Sequence, residues 1–300
     1  MSRYLTPLRY PGGKQKLFPF IKEIIEQNCS DEIEYIEPYS GGAGIAIELL
    51  LKGIVKKIHL NDLSKPVFSF WHTLVSNPEW LCKEISIASL SVDEWKRQRE
   101  IFRNADNVSI DELAFATLYL NRCNRSGILN AGIIGGLNQN GNWKLDARFS
   151  RKEIIQRIEI ISNMANKITV SNLDAEKLID SLTKKKHPSF IYFDPPYMNK
   201  AERLYLNFYT PDDHIRLSEK IQNISKMHWV VSYDYNEQII KYYKKRRMFS
   251  YNLQYNALRA YKGKEIFIFS DNLKIPNSSK LNNINEALIY FNINNHLTTA

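Results

Sequence analysis

Cysteine is scarce in this chain: three in 300 residues, at Cys29, Cys82 and Cys123, with no C-x-x-C pair. That spacing indicates neither a zinc site nor a disulfide framework, and it fits a reducing cytoplasm. Long apolar runs are lacking as well. No stretch approaches the roughly 18 uninterrupted apolar residues that span a bilayer, and the opening MSRYLTPLRYPGGK has no apolar segment of the signal-peptide kind. The expectation is a soluble, cytoplasmic protein with no membrane partner. The phosphate-loop pattern G-x-x-x-x-G-K-[ST] occurs nowhere, and a dinucleotide fingerprint starting at Gly42 and Gly44 has Ile47 where its third glycine belongs. Acids are also in short supply. Thirty-two Asp and Glu face 41 Lys and Arg, a formal charge of +9 that favours a polyanionic partner, although an ordinary basic enzyme has the same balance.

What is present is a packed globular composition, with 44% hydrophobic and 12% aromatic residues. Runs at 34–39, 57–62, 167–172, 190–194 and 228–234 are rich in Ile, Val, Phe and Tyr and are separated by helix-like patterns. This alternation predicts an α/β fold with a parallel, doubly wound sheet. Two further runs, 249–256 and 264–270, are joined by a short link ending in Lys262-Gly263, which predicts a hairpin and an antiparallel strand closing one edge. Over 14–27, Leu17, Phe18, Ile21, Ile24 and Ile25 make one apolar helical stripe, with Pro19 tolerable in its first turns.

The connection between the second and third runs is far longer than one crossover helix needs, so residues 78–166 are expected to form an inserted, mainly helical and loop lobe. The catalytic domain is then 1–77 with 167–272, and 273–300 is a tail with at most a small helix at 284–291. The middle of the insertion, 121–149, is rich in Gly and Asn and carries Arg122, Arg125 and Arg148. It reads as polar loops able to meet guanine edges or phosphates. Lys241-Tyr-Tyr-Lys-Lys-Arg-Arg247 is a basic run suited to tracking a nucleic-acid backbone, or simply a solvated helix face.

The segment Glu37-Pro-Tyr-Ser-Gly-Gly-Ala-Gly44 follows the first strand and opens an apolar helix, where glycines let backbone N–H groups approach a ligand. Asn61-Asp62 ends the second strand, where a carboxylate can accept from ribose hydroxyls or cap the next helix. Asp194-Pro-Pro-Tyr197 stands directly after the buried fourth run, at the carboxyl end of the sheet, where open α/β sheets bind ligands. Its prolines stiffen the turn, so that the Asp194 carboxylate and the Pro195 carbonyl can aim at one spot. Two acceptors there would hold an exocyclic amine closer to tetrahedral and free its lone pair, and Asp194 would stabilise the positive charge that grows on nitrogen. Tyr197 offers a ring for base stacking. A magnesium-binding Asp is the competing reading, weakened by the missing phosphate loop.

Taken in order, Tyr10-Pro-Gly-Gly-Lys14, Glu37 to Gly44, Asn61-Asp62 and Asp194 to Tyr197 resemble the Dam-like family of DNA adenine-N6 methyltransferases. The likeness runs to about Ser270, and Tyr205 to His214 resembles the segment that follows the catalytic motif in that family. The resemblance implies a seven-stranded sheet of the S-adenosylmethionine-dependent type. It implies a cofactor pocket of Tyr10, Lys14, Glu37, Pro38, Gly41, Gly42, Gly44, Asp62, Asp174 and Asp194, and catalysis by Asp194, Pro195, Pro196 and Tyr197. Asp174 and Lys14 have plainer readings, as a helix cap and a solvated helix-start residue. The insertion becomes the target-recognition lobe, with Arg122, Asn124, Arg125 and Arg148 on double-stranded DNA. Its Asn124-Arg-Ser-Gly127 and Ile133-Ile-Gly-Gly136 stretches depart from GATC-type members. No metal is implied. A flipped adenine is the expected acceptor, in a restriction-modification, solitary or phage setting, and a cognate restriction endonuclease is an allowed partner. RNA adenine-N6 or DNA cytosine-N4 methylation, and a non-catalytic DNA-binding protein, are the alternatives to be separated.

Overall fold

The computed structural model describes residues 5–9, 14–30, 32–184, 188–198, 209–255, 261–271 and 273–276. Tyr10 and the expected helix at 284–291 lie outside them. A tight 3-10 turn at Lys14–Leu17 leads into α1 (Phe18–Asn28), with Pro19 in its first turn. Then follow β1 (Glu34–Glu37), α2 (Gly44–Leu51), β2 (Lys57–Asn61), α3 (Lys65–Ser76), α4 (Pro78–Ile87), α5 (Val92–Arg103), α6 (Ile110–Cys123) and α7 (Arg151–Ser162). The chain continues through β3 (Ile168–Ser171), α8 (Ala175–Leu182), β4 (Ser189–Phe193), α9 (Pro211–Gln222), β5 (His228–Asp234), α10 (Glu237–Tyr242), β6 (Arg247–Tyr255) and β7 (Tyr261–Phe269).

The strands form one seven-stranded sheet in the order β3-β2-β1-β4-β5-β7-β6. The first five are parallel, as the alternating pattern predicts, and helices cover both faces. Burial on both sides is why β4 reads as an unbroken run, Ser-Phe-Ile-Tyr-Phe, with all five residues buried. The expected hairpin closes one edge: β7 runs antiparallel between β5 and β6, and β6, antiparallel to β7, takes the edge. The reason is polarity: Ile266, Phe267, Ile268 and Phe269 are all buried and suit an interior strand, whereas β6 opens with arginine at the rim.

Tyr35, Phe190, Tyr192 and Phe267 pack on one face with α1, α2 and α3 and with the helices of 78–166, in one continuous apolar core. Ile36, Ile191, Phe193 and Val231 pack on the other with α8, α9 and α10. Each such side chain contributes about 1.5–3 kcal/mol by leaving water. Helix starts are set locally. Ser109 and Glu112 cap α6 reciprocally, Thr210 and Asp213 do the same for α9, and Asp174 caps α8. α6 is buried on nearly every side from Leu113 to Cys123, so Asn121 to Asn124 belong to a buried helix end and not to a polar loop. Among the described residues no helix is long and apolar enough to cross a membrane.

Candidate active site

Strand order reverses between β1 and β4, so the turns that follow these neighbouring strands open beside each other at the carboxyl edge of the sheet. A crevice at such a reversal is where open α/β sheets hold ligands. The turn after β1 is wound tightly: Gly41 has φ 45° and Ala43 φ 46°, both left-handed. The Asp62 carboxylate accepts from Gly41 N and from Ser64 N, each at 2.9 Å, and the Trp71 indole donates to Gly41 O at 2.9 Å. Asn61, fully buried, donates to Pro38 O and Leu173 O and accepts from Leu173 N, each at 2.9 Å. It ties the loops after β1, β2 and β3 into one wall. At Gly44 a Cβ would lie 3.3 Å from the Gln15 side chain, so the helix start presses close to the N-terminal turn.

Buried carboxylates line this wall. Burial pushes Asp62 up to about 6, against the two backbone donors that hold it down. Glu37 is pushed up to about 8, again by burial, while the Tyr35 hydroxyl donates to it at 3.1 Å. Among the described residues the buried hydroxyls of Ser40 and Ser64 have no hydrogen-bond partner. A crevice lined by carboxylates and by two unpartnered buried hydroxyls suits a ligand that brings cationic and hydroxyl donors.

The turn after β4 carries Asp194, whose two oxygens differ. Oδ1 accepts from the Ser232 hydroxyl at 2.8 Å and sits 3.5 Å from the Lys14 ammonium. Ser232 is itself bonded to the Tyr192 hydroxyl at 2.8 Å. Oδ2 accepts from no described residue, and the side chain keeps 22% of its surface exposed. Burial pushes the carboxyl up to about 6, Lys14 opposing and Glu265 reinforcing the shift, so it is largely ionised at neutral pH. Pro195 and Pro196 are buried and hold the turn. Tyr197 is only 4% exposed, and its hydroxyl donates to Glu265 Oε1 at 2.7 Å.

Other expected residues fall in different places. Lys14 lies at the turn after β4: its ammonium donates to both Glu265 oxygens at 2.8 Å and to the Tyr197 hydroxyl. Asp174 caps α8, accepting from Glu176 N at 2.9 Å. Arg122 and Asn124, expected on DNA, are corrected by their burial. Arg122 donates to the Pro7 carbonyl. Asn124, fully buried, accepts from the Trp95 indole at 2.7 Å and donates to Ile128 O and Leu129 O. Both brace the protein and leave no edge for a base. Arg125 and Arg148 are exposed, and Arg148 stands 6.0 Å over the ring of Trp143, itself 70% exposed. The run 241–247 is not a free basic face, because Tyr243 is buried and Arg246 and Arg247 bond to carbonyls of Gln222, Ser270, Asp271 and Leu273. Sequence reading missed Glu265, Ser232, Tyr251, Asn61's bracing role and Trp143. Only Trp143 carried a local signal, as an aromatic within a polar, basic loop.

The profile of the D12 class N6 adenine-specific DNA methyltransferases matches residues 10–261. The type II methyltransferase M.MjaIII of Methanocaldococcus jannaschii is 25% identical over 73% of this chain and 80% of its own length. The type II methyltransferase M1.LlaDCHI of Lactococcus lactis is 25% identical over 70% of this chain and 74% of its own. With the profile covering most of the chain and a carboxylate-bearing turn at the sheet's reversal, the chain belongs to the D12 class N6 adenine-specific DNA methyltransferase family and is an adenine-specific DNA methyltransferase.

Proposed function

We propose that the crevice between the Glu37–Gly44 turn and the Asp194–Tyr197 turn binds S-adenosylmethionine, the methyl source implied by the family, beside an adenine flipped out of duplex DNA. The observation that carries this reading is the division of labour at Asp194: Oδ1 is held by Ser232 and Lys14, and no described residue bonds Oδ2. Glu37 and Asp62 offer acceptors for the cofactor's ammonium and ribose hydroxyls. Gly41, Gly42 and Gly44 keep the turn slim, and Asp174 stands at the head of α8 for the cofactor's adenine. When bound, the cofactor supplies an electrophilic methyl group.

The chain's own groups act on the acceptor amine. Its lone pair is delocalised into the adenine ring, so it needs help to become nucleophilic. Oδ2 of Asp194 accepts one N–H and the Pro195 carbonyl the other, which turns the lone pair toward the methyl group. Positive charge grows on nitrogen during transfer, and the fixed carboxylate lowers its energy without reorganising. The surplus proton then leaves by way of Asp194. Below pH 6 the carboxyl is protonated and this role is lost. A base stacked on Tyr197 requires that buried ring to be uncovered as the base arrives.

Residues 78–166 are proposed as the target-recognition lobe, set between the two parts of a catalytic domain at 1–77 and 167–272. Its DNA-facing side chains are Arg125, Arg148 and Trp143. The names of the two type II relatives support a site-specific enzyme in a restriction-modification setting with a cognate endonuclease. The test is transfer of labelled methyl from S-adenosylmethionine to unmethylated duplex DNA, followed by nucleoside analysis. Label on N6-methyladenine, absent from Asp194→Ala, is the expected result. Label on cytosine or on RNA alone would refute it.

A further inference from the structure

Glu265 lies on β7, fully buried, and accepts four hydrogen bonds from three side chains on distant parts of the chain. Lys14 of the N-terminal turn reaches both of its oxygens at 2.8 Å. Tyr197 of the catalytic turn donates to Oε1 at 2.7 Å, and the Tyr251 hydroxyl of β6 donates to Oε2. An ammonium has three protons. Those of Lys14 are taken by the two Glu265 oxygens and the Tyr197 hydroxyl, while its charge lies 3.5 Å from Asp194 and 4.9 Å from the Tyr197 ring centroid. Among the described residues these acceptors take all three protons, which leaves none for a ligand carboxylate. Its position between Glu265 and the catalytic turn explains why a lysine is buried at all, since an unpaired buried cation is strongly disfavoured.

We infer that Glu265 is a positioning residue for methyl transfer: through Lys14 and Tyr197 it fixes the Asp194–Tyr197 turn, and Lys14 serves this turn and not the cofactor. A carboxylate that accepts four hydrogen bonds from three donors is over-determined, so the two catalytic-turn residues it controls, one by a direct hydrogen bond and one through Lys14, have a single arrangement. Its charge also reaches Asp194. The charged and titratable groups acting on Asp194 are Lys14, Glu265 and Glu37 with the hydroxyls of Tyr35, Tyr192, Tyr233 and Tyr251. Glu265 is the one whose removal leaves Asp194 as the nearest anion to Lys14.

The inference rests on the assignment of Asp194–Tyr197 as the catalytic turn, and the experiment separates the two. Full-length wild type, Glu265→Gln, Tyr251→Phe, Lys14→Met and Asp194→Ala are compared for kcat on unmethylated duplex DNA, for equilibrium binding of S-adenosylmethionine, and for the pH profile of kcat. Thermal melting checks folding. Glu265→Gln is expected to lose kcat on the order of 10- to 100-fold, as outer partners of a reacting group do, with cofactor affinity unchanged. Its acidic limb moves to lower pH, because Asp194 has lost a neighbouring negative charge, a shift that a merely structural role would not produce. Tyr251→Phe, which deletes one hydroxyl and no charge, is expected to lower kcat less and to leave the limb in place. Should Glu265→Gln not fold, Tyr251→Phe and Lys14→Met carry the test, the latter moving the limb to higher pH while still binding cofactor. Wild-type kcat in Tyr251→Phe and Glu265→Gln, or loss of cofactor binding in Lys14→Met, overturns the inference. Full activity of Asp194→Ala would instead refute the catalytic-turn assignment itself.

Discussion

Asp194 gives one oxygen to Ser232 and Lys14, and in the proposed mechanism the other meets the substrate. Ser232→Ala removes the donor that holds Oδ1 while leaving Lys14 in place. Single-turnover methyl transfer should slow on the order of 10-fold, with cofactor binding intact. The carboxyl of Glu37, pushed up to about 8 by burial, is mostly protonated at neutral pH. A cationic donor in the crevice favours its ionised form and drives the proton out. Binding of S-adenosylmethionine at pH 7 should therefore release protons, seen as a binding enthalpy that changes with the ionisation heat of the buffer; no buffer dependence would contradict the placement. On the lobe, Arg125→Ala should reduce the salt dependence of DNA binding by about 0.9 in log–log slope if it meets a phosphate. Asn124→Ala should instead lower stability, because it strips partners from the Trp95 indole and two carbonyls. Motif residues were legible because chain-local rules place them: a polar or glycine residue just after a buried strand lies at the sheet's carboxyl edge. Arg122 and Asn124 lie inside, against the general expectation that charged and amide groups face solvent. The warning was α6 itself, apolar around most of its circumference, which predicts that polar residues at its end are buried bracing.

At the scale of elements, α6 couples the lobe to the start of the chain. Asn121 donates to Arg9 O and Gly127 O at 2.9 Å and accepts from Arg9 N at 2.7 Å, so residue 9, next to the Tyr10–Lys14 motif, is fixed by a helix of the insertion. Gly127 has φ +76°, and a Cβ there would collide with the Arg9 carbonyl. Gly127→Ala is therefore expected to lower the melting temperature and cofactor-dependent activity together. Ser109→Ala, which removes only the reciprocal cap of α6, should cost about 1 kcal/mol in denaturant unfolding and leave kcat unchanged. The strands were readable to within two residues, apart from the start of β7, which lies three residues before its expected place, because each is a short apolar run between turn residues. The place of β7 between β5 and β6 was not, since pairing order depends on which of the two hairpin strands is the more apolar, which no local pattern marks.

Across the whole molecule, one sheet brings together segments from both ends of the sequence. Lys14 and Glu265 meet only because β7 inserts beside β5, and no local pattern announces a contact spanning that much chain. The same insertion places Glu265 under the turn that follows β4, at the reversal of strand order where ligand and acceptor are expected to meet. The net charge of +9 suits a polyanionic substrate held against this edge. The account stands most directly on the rate of methyl transfer in a single turnover, measured with saturating S-adenosylmethionine and duplex DNA for wild type and Asp194→Ala. It predicts a loss of at least about 100-fold in the variant, with both ligands still bound; a variant rate close to wild type would contradict it.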